Sequence, residues 1–125
     1  NCDFTETDFS YSLFSDCVFV NTNLSLSKMV DTKMHGVSFI SCKIVGVDFA
    51  QISKLIIELE FRKSIILNCN FSSLDLTGTN FIDSEIKQSD FYATILTKSK
   101  FFGSDLRDTI FENTDLREAD FSNAK

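Results

Sequence analysis

Four cysteines, one histidine and eighteen acidic side chains are the groups of this chain with the widest chemical reach. Thiolates and imidazole could hold zinc, but that needs paired ligands at short spacings such as CxxC. Cys2, Cys17, Cys42 and Cys69 form no such pair, and no ligand cluster surrounds His35. Nucleophilic hydrolysis needs a Ser–His–Asp set, and the sequence offers none beyond what a serine-rich chain supplies by chance. A phosphate cradle needs a glycine-rich loop, and there are four glycines in all. Asp105 and Asp108 are close enough in sequence for paired acid–base chemistry, but they read as solvated outer residues. We therefore expect no enzyme, no metal and no cofactor.

What positions these groups is a lattice of period five. Large apolar residues recur at Phe4, Phe9, Phe14, Phe19, Leu24, Met29, Met34, Phe39, Ile44 and Phe49. They resume at Ile66 and continue every five residues to Phe121. Chance would give such a series roughly once in 10^8 trials. Five fits neither the 3.6 of a helix nor the 2.0 of a strand, so the unit is a repeat. Two residues before each large position stands a small one: Cys2, Thr7, Ser12, Cys17 and onward, Leu74 being the large exception. The residue between them is often Asp or Asn, whose short side chains bond neighbouring backbone and stabilise turns.

The stretches Ala119-Asp120-Phe121-Ser122-Asn123, Thr114-Asp115-Leu116-Arg117-Glu118 and Ser104-Asp105-Leu106-Arg107-Asp108 resemble the A(D/N)LXX unit of the pentapeptide-repeat family. The resemblance covers nearly the whole chain. It implies an all-β fold, a right-handed quadrilateral parallel β-helix with one repeat per side and twenty residues per coil, hence about six coils. Phe replaces Leu at over half the centres, and Ser, Thr or Cys often replaces Ala. With that coil length, Phe71, Phe91 and Phe111 stack on one side and Phe81, Phe101 and Phe121 on the opposite one, giving two facing aromatic ladders. All four cysteines fall in the small inward slot, where a free thiol acts as a small hydrophobe. Unpaired thiols also favour a reducing compartment, hence a cytoplasmic location.

We expect one domain, residues 1–125, with a register slip near 50–55 dividing it into 1–50 and 56–125. The second register would begin with Ile56 and Phe61, and a two-residue bulge in a continuous coil is preferred to a helical insertion. The alternation from Ile57 onward reads as a strand. No apolar run is long enough to span a bilayer. Solenoid ends need capping, and neither end shows a cap, which points to further terminal segments carrying a cap or a homodimer contact. The interrupted register, with Gly46-Val47-Asp48-Phe49 before it, also resembles the quinolone-resistance and microcin-immunity branch of the family.

That branch resemblance implies a rod that imitates duplex DNA and binds a type II topoisomerase such as DNA gyrase. Six coils at about 4.8 Å make a rod roughly 29 Å long. Duplex DNA of that length carries about 17 negative charges, against a net charge of −6 here. By segment the balance is −4 for 1–27, +2 for 28–63 and −4 for 64–125. Glu85, Asp105 and Asp108 share their columns with Lys87 and Arg107, so the imitation is partial. Net acidity argues against nucleic acid as the ligand. Ile82 and Phe102 each follow a centre and should stack outward, twenty residues apart, in a column that Ser122 continues. The candidate partner surface is thus Ile82, Phe102, Glu85, Asp105 and Asp108. The expected function is protein binding without catalysis. A type II topoisomerase is the implied partner, and a scaffold for an unrelated protein, through the apolar or the basic face, is the alternative.

Overall fold

The structure, a computed structural model, describes residues 2–125. The chain winds into a parallel β-solenoid with four sides. Strands β1 (Leu13–Ser15), β2 (Val18–Val20), β3 (Lys33–Ile40), β4 (Lys43–Val45), β5 (Ile57–Arg62), β6 (Ile65–Leu67), β7 (Asn80–Ile82) and β8 (Glu85–Lys87) form two parallel sheets. The larger has the order β1-β3-β5-β7, with β2 also on β3, and the smaller is β4-β6-β8. Continuous strand occupies about four turns, fewer than the coil count expected from the repeat. Isolated parallel bridges extend the same rails on either side, from Asp3↔Asn23 to Lys100↔Asp120.

Each side owes its geometry to three residue types in fixed order. The large centre points inward, and most centres from Leu24 to Phe101 are at most 2% exposed. Two residues further on, the backbone turns left-handed: eighteen non-glycine residues and all four glycines with positive φ hold this corner. The small residue then points in, and where it is Ser or Thr its hydroxyl bonds either the coil below or a carbonyl of its own coil, as Thr22 does to Val20 O at 3.0 Å. Ser104 donates to Phe81 O at 2.7 Å, Thr94 to Phe71 O at 2.9 Å and Ser99 to Leu76 O at 3.0 Å. Ser and Thr in place of Ala are thus compatible with burial because each hydroxyl is satisfied. No buried side-chain N or O atom among the described residues lacks a partner.

The first side carries Leu24, Ile44, Ile66 and Ile86 inward, the second Phe49, Phe71, Phe91 and Phe111. The third carries Met34, Leu76 and Leu96, the fourth Phe39, Phe61, Phe81, Phe101 and Phe121. The two expected Phe ladders exist. Within a ladder neighbouring rings stack at 4.8–5.3 Å, as for Phe49–Phe71 and Phe91–Phe111. Between ladders they meet edge-on, Phe71–Phe81 at 5.9 Å and 88°. Both geometries suit the aromatic quadrupole.

Two expectations are corrected. The small slot buries Cys42 and Cys69, but Cys17 is half-buried and Cys2 exposed, because a single neighbouring coil covers the slots of residues 2 and 17. The second register begins at Ile57, not Ile56. Ile57 pairs with Met34 and packs on the core, whereas Ile56 is 54% exposed.

Between Gln51 and Leu59 the offset between coils changes stepwise. Ser53 N donates to Thr32 O just as Lys33 N does to Ser12 O one coil below, so the offset is still twenty at Ser53. Ile57 is twenty-three beyond Met34, and Leu59 twenty-two beyond Val37. The chain therefore inserts three residues between Ser53 and Ile57 and recovers one where Glu58 alone spans His35 and Gly36. A 3-10 turn at Phe49–Gln51, capped by the Asp48 side chain, leads into the insertion. Ile52 and Leu59 anchor it inside at 2% and 7% exposure, and Leu55 projects at its tip.

Candidate functional site

Asp and Asn immediately before the centres make one local bond repeatedly: Oδ1 accepts the backbone N–H two residues on. Asp8 takes it from Ser10 at 2.9 Å, Asp48 from Ala50 at 3.0 Å and Asp90 from Tyr92 at 2.8 Å. One oxygen closes the turn, and the formal charge still faces outward. The repeat thus ties backbone stability to surface acidity, and the pattern of acids among the sides is open to variation.

That pattern is uneven. On the second side the outer residues include Asp8, Asp48, Asp90 and Glu112, against Lys28 as the one base. Asp31 at the adjoining corner adds to it. The fourth side is its opposite in position and character. Its outer residues pair as Val20↔Ile40, Ile40↔Arg62 and Arg62↔Ile82, with Phe102 one rung further. Glu60 and Arg62 form an ion pair within one strand there. The rod is therefore acidic on one face and apolar, with balanced charges, on the other.

The residues singled out from sequence fall on two different sides. Ile82 and Phe102 stack on the fourth side, Phe102 being 44% exposed. Glu85 and Asp105 are bridge partners on the first side, and Asp108 sits at the corner beyond them. Their charges are largely met: Lys87 Nζ lies 3.5 Å from Asp105 Oδ2 and 3.9 Å from Glu85 Oε2, and Arg107 donates to Asp105 Oδ2 at 2.6 Å. The hydrogen bond from Arg107 is the main reason the Asp105 carboxyl is held well below the usual range. Hydroxyl donation from Ser10 likewise lowers Asp8.

The sequence reading did not reach the acidic second side or the extension of the Ile82 column to Ile40 and Val20. The signal was the twenty-two-residue step from Phe39 to Phe61, which carries outer columns across the slip. The exposed Leu55 stands beside a shallow cleft of about 560 Å³ that includes Asp31, Gln51 and Ile52. Among the described residues no group of His, Cys, Asp or Glu is placed to hold a metal ion. No helix among them is long and apolar enough to cross a membrane.

A solenoid of five-residue repeats, with centres inward and left-handed corners, defines a class of protein by geometry alone. The chain belongs to the pentapeptide-repeat family: residues 54–121 match the family description "Pentapeptide repeat region" and residues 2–40 match "Pentapeptide repeats (8 copies)". Among solved structures it is similar to trypsin-treated QnrB1, a plasmid-mediated fluoroquinolone resistance protein, at 17% identity and a TM-score of 0.53. That likeness covers 96% of this chain and 77% of the other. It is also similar to Rfr23 from the cyanobacterium Cyanothece 51142, at 11% identity and a TM-score of 0.43, covering 98% and 86%. A pentapeptide repeat protein of the Arabidopsis thaliana thylakoid lumen aligns at 17% identity and a TM-score of 0.32, covering 99% and 68%. These likenesses speak to the fold alone. No curated protein matches the chain in sequence.

Proposed function

We propose that this chain is a non-enzymatic protein-binding solenoid whose acidic second side docks on a basic, DNA-binding surface of another protein, a type II topoisomerase. The supporting observation is the segregation of Asp8, Asp48, Asp90 and Glu112 on one side with a single base among them. Its charge density is well below that of duplex DNA, which carries one charge per about 1.7 Å. The side thus offers a few anchoring charges, which favour encounter and orientation over raw affinity. The test is gyrase supercoiling, with and without a quinolone, in the presence of the purified protein. Supercoiling or drug inhibition should change, and Asp48→Asn with Asp90→Asn should remove the change. Asn keeps the turn-closing oxygen, so the fold is unaltered in that variant. No effect at large molar excess would reject the topoisomerase.

The apolar fourth side favours a second reading, an interaction scaffold for a protein unrelated to DNA enzymes. There the substitution that matters is Phe102→Asp. It should cost the scaffold its partner in a pull-down while the circular dichroism spectrum stays unchanged, and a retained partner counts against that side.

A further inference from the structure

The fourth side is regular as well as apolar. Successive rings of its inward ladder, from Phe39 through Phe61, Phe81 and Phe101 to Phe121, are inclined to one another by 10°, 5°, 1° and 2°. Ordinary sheets twist by roughly 20–25° per strand, which limits how far two of them lie in contact. Rings that keep one inclination from coil to coil point to a side with little twist, which another such side can follow over several rungs.

The outer residues of this face are also self-complementary. Glu60 and Lys100 occupy one outer column, one rung to either side of Asn80. Arg62 and Phe102 occupy the other, one rung to either side of Ile82. We propose that two copies of this chain associate through their fourth sides, antiparallel, about a two-fold axis at the level of Ile82. The rotation sets each Glu60 against the Lys100 of the other copy and each Arg62 over the other copy's Phe102 ring. Ile82 meets its own symmetry mate at the centre. Every contact occurs twice, as an isologous interface requires: two ion pairs and two cation–π contacts around an apolar middle. A parallel arrangement would return Glu60 to an Arg62, the partner it already holds in its own strand. The antiparallel one gives Lys100 a carboxylate at ion-pair distance, which its bridge partner Asp120, close enough to feel its charge, does not supply.

Size sets the strength. The two-fold at Ile82 matches five rungs, from Ile40 to Ser122, and five rungs by about three residues cover roughly 24 Å by 10 Å, which makes the association weak and transient, with a dissociation constant near ~100 μM. The association goes beyond the proposed topoisomerase role and uses the opposite side of the rod, so the two can fail separately. Sedimentation from about 10 μM to about 1 mM should show the mass rising from monomer towards dimer. Lys100→Glu, Glu60→Lys and Ile82→Asp should each weaken the association about tenfold, with far-UV circular dichroism unchanged. Combining Glu60→Lys with Lys100→Glu should restore it. A monomer throughout, single reversals without effect, or rescue by Glu60→Lys with Arg62→Glu instead would each overturn the antiparallel dimer.

Discussion

A left-handed corner in every repeat makes backbone conformation the most exposed weakness of single residues. Left-handed φ costs an L-residue about 1–2 kcal/mol and glycine almost nothing. All four glycines stand at this corner, two residues after Met34, Ile44, Leu76 and Phe101. That shared position is a sequence signal as regular as the centres themselves. Gly103 has φ of 69°, and a Cβ there would collide with the Asp83 carboxylate. Gly103→Ala should therefore lower stability by about 2 kcal/mol, whereas Ala93→Gly, at φ of 55°, should raise it by up to about 1 kcal/mol. Urea midpoints of the three proteins decide this, and a stabilised Gly103→Ala would contradict the corner argument.

Cys69 makes a second residue-scale case. Burial pushes its thiol up to about 11 from the ordinary value of 9.0. The folded state thus holds the proton more tightly than the unfolded one. Its stabilising effect is complete below pH 9.0 and fades as pH rises towards 11. Thermal melting should lose roughly 2–3 kcal/mol across that window. Cys69→Ala should remove most of that pH dependence, Cys42, whose thiol burial also raises, keeping the rest, and a pH-independent wild type would contradict the burial. The exposed Cys2 should react with a thiol reagent at once, Cys69 only on unfolding.

At the scale of the element, the aromatic ladders hold the coils together, and burial sets each ring's contribution. Phe81 stacks on Phe61 and Phe101, both at 5.0 Å, and is fully buried; Phe121 touches one ladder neighbour and is 38% exposed. Phe81→Ala should cost about 4 kcal/mol and Phe121→Ala well under half of that, measured by denaturant unfolding. Equal costs would mean that stacking counts for little. The ladders were legible in the sequence because period five admits one inward centre per side. The insertion was not, because Ile56 and Ile57 are both apolar and a lattice of centres accepts either. The loop between Ser53 and Ile57, which returns the backbone to Met34 at Ile57, makes the choice. Columns of outer residues could not be aligned across the slip until that step was known, which is why the acidic second side stayed unread and the Ile82 column looked short.

Taken whole, the molecule is a rod whose opposite sides have opposite chemistry, and this has a consequence that neither side has alone. An acidic face and a regular apolar face on one rigid core can be occupied together, because the two Phe ladders separate them. A fourth-side dimer would leave two acidic sides facing outward, each free to meet a basic partner, and bivalent engagement raises apparent affinity without new contacts. Neutralising the second side with Asp48→Asn and Asp90→Asn should leave self-association by sedimentation unchanged while removing the effect on gyrase. Ile82→Asp should do the reverse to self-association and weaken the gyrase effect only at concentrations where the wild type is dimeric. Measuring both variants in both assays separates the faces. Loss of self-association in the neutralised variant would show that they are not independent, and the two-sided rod would then have to be abandoned.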